Sequence, residues 1–177
     1  MKIAYVVSCA ALGAAALSVP ALAQDAGTLD ISGGWQRSSF DVGGASADVD
    51  SVFARGTYHL TPHFAGEAEA HFGIGDDDVG GATVELDNAF GIFARGGIGI
   101  ADSVAVFGRV GYVNAEVSAS AGPFAASDTD SGWAAGVGGE LFLAGPNGVR
   151  ADYTRYEFDD GDADAFSISY VRRFGGY

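Results

Sequence analysis

Along this chain, charge keeps to one face. Eight segments alternate at a period of two, the pattern of extended strands whose successive side chains point to opposite sides; they cover residues 29–37, 51–60, 64–74, 86–98, 104–112, 133–143, 149–153 and 166–174. One parity holds Arg55, Glu67, Glu69, Arg95, Arg109, Glu140, Arg150 and Asp152. The other is Ala, Gly, Val, Leu, Ile and Phe through every segment centre, with Leu86, Phe90 and Ile92 in the fourth segment. It admits only Arg37, Arg155 and Arg172, each near a segment end. Its large aromatics gather at two levels: Trp35, Phe72, Tyr112, Trp133 and Tyr153 towards one end, and Tyr58, Phe64 and Phe174 towards the other. Two aromatic rings around an uncharged band describe a β-surface in contact with lipid. A soluble, lipocalin-like barrel would also show eight alternating strands, but with its charges on the outside. Solvated charges on one side would leave the charge-free strand centres of the other side unexplained.

The connections agree with closure into a barrel. Long, acidic, small-residue-rich stretches at 41–50, 75–85, 118–131 and 158–164 alternate with tight turns at 61–63, 99–102 and 144–148. An up-and-down meander places all the long connections at one end and all the short ones at the other. In a barrel of this size the interior is just wide enough for side chains to fill. Four arginines then meet four carboxylates inside, and buried charges are tolerable only when paired. Counting outward from the turn at Thr61–Pro62 sets Arg55 opposite Glu69, and the turn near Gly145 sets Glu140 opposite Arg150. Exchanging the charges of such an isolated pair is expected to be tolerated in part.

The N-terminus predicts export. Lys2 precedes an apolar run over 3–19, Pro20 breaks it, and Ala21-Leu22-Ala23 is a small-x-small cleavage site. The expectation is a signal peptide over 1–23, removed to leave one barrel domain over 24–177. Val6-Val7-Ser8-Cys9 matches a lipoprotein box, but cleavage there would leave too short an apolar segment for export. Cut after Ala23, the chain contains no cysteine and hence no disulfide. With 9 Lys+Arg against 23 Asp+Glu, it would repel the phosphates of nucleic acid.

The chain's last strand carries a family resemblance. Phe166, Ile168, Tyr170 and Phe174 share one face, and Ser167, Ser169 and Arg173 the other. Phe166-x-Ile168-x-Tyr170-x-x-x-Phe174 resembles the C-terminal β-signal of Gram-negative outer-membrane proteins. The resemblance implies recognition by the barrel-assembly machinery, with Phe174 rather than Tyr177 as the terminal aromatic. Arg172 departs from it, standing where the family usually has an apolar residue. Phe107-Gly-Arg109-Val-Gly111-Tyr112 and the stretch from Val149 to Phe158 look like strands five and seven of the small porin-family barrels, of the opacity-protein and OmpA-transmembrane-domain type. This family implies an all-β, eight-stranded antiparallel up-and-down transmembrane barrel in the cell outer membrane, with its short turns towards the periplasm.

Chemistry is less legible. Some barrels of this size modify lipid A, so a catalytic group is the first thing to seek. Nucleophilic catalysis needs a base within reach of its nucleophile, and no His-x-Ser occurs here. His71 shares the inward face with Glu69, His59 sits at the short-turn end and His63 lies in a turn. Neither Gly75-Asp-Asp-Asp78 nor the run from Asp159 to Asp164 has the spacing of a calcium loop. The expected protein is a monomeric, non-enzymatic barrel without cofactor or metal, plugged by its own charges. Its expected role is structural or surface-presenting, with an adhesive variant. Its expected partners are outer-membrane lipid, lipopolysaccharide and the assembly machinery; Arg37 and Arg155 are candidate lipopolysaccharide contacts, with simple snorkelling at the rim as the favoured alternative. A narrow pore and a lipid A-modifying enzyme stand as the alternatives, and the ligand of the long loops stays open.

Overall fold

Alternating β-branched, aromatic and small residues form long strands here because every backbone group then finds a partner on a neighbouring strand. In lipid no water is present to satisfy the rest. The structure is a computed structural model, and it describes residues 26–42, 45–79, 82–121, 124–158 and 161–175. Its strands are β1 Leu29–Val42, β2 Ala45–His59, β3 Phe64–Gly73, β4 Asp76–Val79, β5 Ala82–Ala101, β6 Val104–Ala121, β7 Phe124–Ala144, β8 Asn147–Phe158 and β9 Asp162–Phe174. β3 and β4 follow one another along the same edge of β5, from Phe64↔Gly96 through Phe72↔Asn88 to Asp76↔Glu85, and together make one stave. The result is a closed antiparallel barrel of eight staves. Closure runs along β1 and β9, from Leu29↔Phe174 at the short-turn end to Phe40↔Ala163. That is why the last strand is regular to Phe174: it completes the seam. Gly175, which follows it, takes a positive φ of 86°.

Two expectations are corrected. The long connections are not loops over their predicted spans. β1 continues to Val42, β2 starts at Ala45, β6 runs to Ala121 and β7 starts at Phe124. Small and acidic residues there keep pairing as two-stranded ribbons beyond the barrel wall, because a β-ladder needs only backbone groups. Leu86 is the second correction. It is 5% exposed, inside the barrel, not on the lipid side. The β5–β6 register shifts between Leu86 and Asn88, and one extra residue in a strand inverts the alternation beyond it. The expected signal segment and Cys9 lie outside the described residues.

The barrel is inverted relative to a soluble protein. Ile92 is 69% exposed and Val137 63%, whereas Arg150 and Glu140 are each 1% exposed. The aromatic levels are exposed on the outside, with Tyr112 and Trp133 directly opposite each other on β6 and β7 and meeting edge to face at 5.6 Å.

Candidate functional site: the filled lumen

All eight predicted interior charges are buried in the lumen, at mid-height. They form one lattice rather than four pairs. Glu67, on β3, lies at its centre. It accepts from Arg150 at 2.6 and 3.2 Å, from Arg109 at 2.8 Å and from the Thr57 hydroxyl at 2.9 Å. Glu69 accepts from Arg55 Nε at 2.8 Å and from Arg109 Nη1 at 2.6 Å, with His71 Nε2 at 3.2 Å. Asp152 accepts from Arg150 Nε at 2.7 Å and Arg55 Nη1 at 3.0 Å. Glu140 meets Arg95 at 2.8 Å. Arg55 and Glu69 are both opposed in register and bonded. Glu140 and Arg150 are opposed in register but stand 3.8 Å apart, because the Arg150 guanidinium turns to Glu67 and Asp152 instead. In a low-dielectric interior each charge needs several partners to offset its lost hydration, so multiple sharing is the stable arrangement.

The lattice rests on phenylalanines. Arg55 lies 4.6 Å over Phe53, Arg109 4.3 Å over Phe93, and Arg95 and Arg150 lie 4.0 and 4.2 Å from Phe107. Arg95 and Arg109 are directly opposite in the β5–β6 ladder, a like-charge pairing that should repel. Each instead reaches diagonally over the other strand's phenylalanine and to different carboxylates. Glycines make room for these rings: a Cβ on Gly111 would sit 2.5 Å from Phe93, and one on Gly138 would sit 2.5 Å from Phe107. Sequence reasoning missed the rings, although Phe53-Ala-Arg55, Phe93-Ala-Arg95 and Phe107-Gly-Arg109 repeat one F-x-R spacing on one parity.

Two further tiers close the lumen. Towards the short turns, Asp30 of β1 binds Arg173 of β9 in a two-pronged contact at 2.8 and 2.9 Å. His59 of β2 adds a bond at 3.0 Å. Arg173 also lies 4.1 Å over Phe142. Asp30 and Arg173 face each other across the β1–β9 seam, so this clasp locks the closure itself. Towards the long hairpins the lumen becomes apolar, lined by Val49, Leu86, Ala89, Val113, Ala115, Tyr156, Ala163 and Ala165. The expectation of a polar interior holds only for the lower part. Within this tier a cavity of about 30 Å³ has Gln36, Ser38, His71 and Tyr156 in its wall.

The outer-face arginines are accounted for differently. Arg37 forms a two-pronged pair with Asp50 at 2.9 Å, and Arg155 pairs with Asp162 at 2.6 Å and Asp164 at 3.1 Å. The Arg37 hydrogen bond holds the Asp50 carboxyl, above the apolar band, below its ordinary value. The two arginines flank β9 but not at one height: Arg37 faces Phe166, whereas Arg155 faces Asp164, two residues further out. Phe166, Ile168, Tyr170 and Phe174 all point outward, and Phe174 makes the last pair of the seam. Among the described residues no group of histidine, cysteine and carboxylate side chains is arranged to hold a metal ion.

The model of one family, the outer membrane protein beta-barrel domain, matches residues 9–174. Among solved structures, Ail, the attachment invasion locus protein of Yersinia pestis, superposes with a TM-score of 0.67 at 16% identity, over 84% of this chain and 99% of that one. The N-terminal β-barrel domain of Pseudomonas aeruginosa OprF gives 0.64 at 10% identity, over 85% and 100%. OprG from the same organism gives 0.59 at 14%, over 86% and 98%. No curated protein matches the sequence.

Proposed function

The chain belongs to the outer membrane protein β-barrel domain family, and on that premise we propose that it is a plugged, non-conducting barrel that anchors its long hairpins at the cell surface in a structural or adhesive role. The observation that carries this reading is the balanced lattice. Four arginines and four carboxylates fill the lumen's mid-height, sharing 2.6–3.8 Å contacts, and an ion entering would have to displace paired charges. The clasp below and the apolar tier above add two more barriers, the upper one unfavourable to hydrated ions.

Planar-bilayer recording of the purified protein tests it. The expected record shows no stable steps. Large, steady channels would replace the plug with the narrow-pore reading.

An adhesive role would involve the hairpins, whose partner the fold does not name. Ail has been seen with the heparin analogue sucrose octasulfate. This chain, with a formal charge of −14, is poorly suited to a sulfated sugar, and a neutral or basic partner fits it better. We also infer that the barrel is no enzyme. His59 and His71 are buried in the lumen, away from acyl chains, and His63 sits in the turn beside Thr61, whose hydroxyl caps backbone amides. An unchanged lipid A mass spectrum on deletion of the gene is the expected result. Arg37 and Arg155, held by carboxylates, are taken to extend along the rim rather than bind lipopolysaccharide phosphate.

A further inference from the structure

Seven of the eight arginines outside the N-terminal segment have a carboxylate partner, at positions 37, 55, 95, 109, 150, 155 and 173. Arg172 has none among the described residues. It is exposed on the lipid face at the short-turn end, at the position where the C-terminal strand departs from the apolar pattern. Its neighbours in register are Ile31 on β1 and Asn147 on β8. On the same face, Tyr170 and Phe174 stand two residues to either side, and the guanidinium lies 5.4 Å over the Phe174 ring. Beyond Ile31 the next residue across is Gly56, where an added Cβ would meet nothing within 4 Å. The wall there is bare backbone.

We propose that Arg172 is a binding site for the phosphate of a glycerophospholipid in the periplasmic leaflet. The inference rests on the membrane-spanning reading and goes beyond it. The short turns of an outer-membrane barrel face the periplasm, and their aromatic level lies at the headgroups. Among the described residues the guanidinium there has no internal anion, and its planar fork matches phosphate oxygens. Phe174 holds it at that level by stacking, and the Tyr170 hydroxyl, bonded to Asn147, keeps the polar margin beside it. The open surface at Gly56, opposite Ile31, leaves room for the upper part of an acyl chain. The contrast with the other rim is part of the argument. Arg37 and Arg155 carry their own carboxylates, whereas Arg172 leaves its charge for the lipid.

The test compares the wild-type protein with R172Q, R172K and R155Q, each in nanodiscs of mixed phosphatidylcholine and phosphatidylglycerol and then stripped stepwise in native mass spectrometry. The heat-dependent gel shift confirms folding. R172Q is expected to retain its last phospholipid about fivefold less well, the weight of one cation near an anionic surface. R172K should keep part of the retention, and R155Q should match wild type. Equal retention by R172Q and wild type would overturn the proposal and make Arg172 a side chain that merely reaches water. If R172Q fails to fold, the same question is put to the wild-type protein labelled with ¹⁵N-arginine. The Arg172 Nε–H resonance should move between phosphatidylglycerol nanodiscs and nanodiscs of an uncharged galactolipid without phosphate. An unmoved resonance would equally overturn it.

Discussion

Glu69→Ala is the sharpest probe of the lattice. The substitution removes the acceptor of two charge-assisted bonds, to Arg55 at 2.8 Å and Arg109 at 2.6 Å. Such bonds contribute about 1.5–3 kcal/mol each. It also leaves four buried arginines against three carboxylates, and breaking one partner of a buried pair costs about 3–5 kcal/mol. The guanidiniums are not wholly stranded: Arg55 keeps Asp152 at 3.0 Å, and Arg109 keeps Glu67 at 2.8 Å and the Thr154 hydroxyl at 2.7 Å. The expected loss is therefore about 3–5 kcal/mol and not the sum of both contributions. At a urea slope of about 2 kcal/mol per molar, the unfolding midpoint falls by about 2 M. The assay is urea titration of the folded protein in lipid vesicles, read by the gel shift and by tryptophan fluorescence.

A double-mutant cycle separates a lattice from isolated pairs. Glu69→Ala with Arg109→Met removes one charge of each sign and should recover at least half the loss. Arg55→Glu with Glu69→Arg should recover nothing, because an arginine at 69 would face Arg109 where the carboxylate now sits. Pairing by register alone predicts partial rescue; with Arg109 as a third partner no rescue is expected. Full rescue by the swap, with additive loss in the neutral double, would refute the shared lattice.

The clasp should matter separately. Asp30→Asn weakens the bonds to Arg173 and His59 across the seam and is expected to lower stability by about 2 kcal/mol, read in the same titration; no change would remove the clasp from the closure mechanism. Phe174→Ala, at the last seam pair, should lower the amount of folded barrel in outer-membrane fractions, whereas removal of 175–177 should leave it unchanged; the opposite ranking would move the assembly signal to Tyr177. Gln at both Arg37 and Arg155 should leave co-purifying lipopolysaccharide unchanged, and a clear loss would show that phosphate displaces Asp50 and Asp164.

The sequence carried the architecture because membrane burial imposes a one-residue rule on every strand. With a period of two, one parity must satisfy lipid and the other must fill a narrow lumen. Arg55, Glu67, Glu69, Arg95, Arg109, Glu140, Arg150 and Asp152 were therefore legible as interior, and Ile92 and Val137 as lipid-facing, from parity alone. Local turn counting even set Arg55 against Glu69. What parity does not encode is the bulge that sends Leu86 inward, because a single extra residue leaves no compositional mark. Nor does it encode how far the hairpins run, since small polar residues serve a ribbon and a loop equally well.

Contacts across the lumen were beyond reach for a different reason. Arg150 chooses Glu67, 83 positions away, over the Glu140 directly opposite it, and Arg55 reaches Asp152 from 97 positions away. Those choices depend on closure, which brings non-adjacent staves within side-chain reach across a shared interior. Sequence decides which face a charge is on. Only the closed barrel decides which charges it meets, because in a low-dielectric lumen each guanidinium turns to wherever the most carboxylate oxygen lies, and that place exists only after β9 has paired with β1.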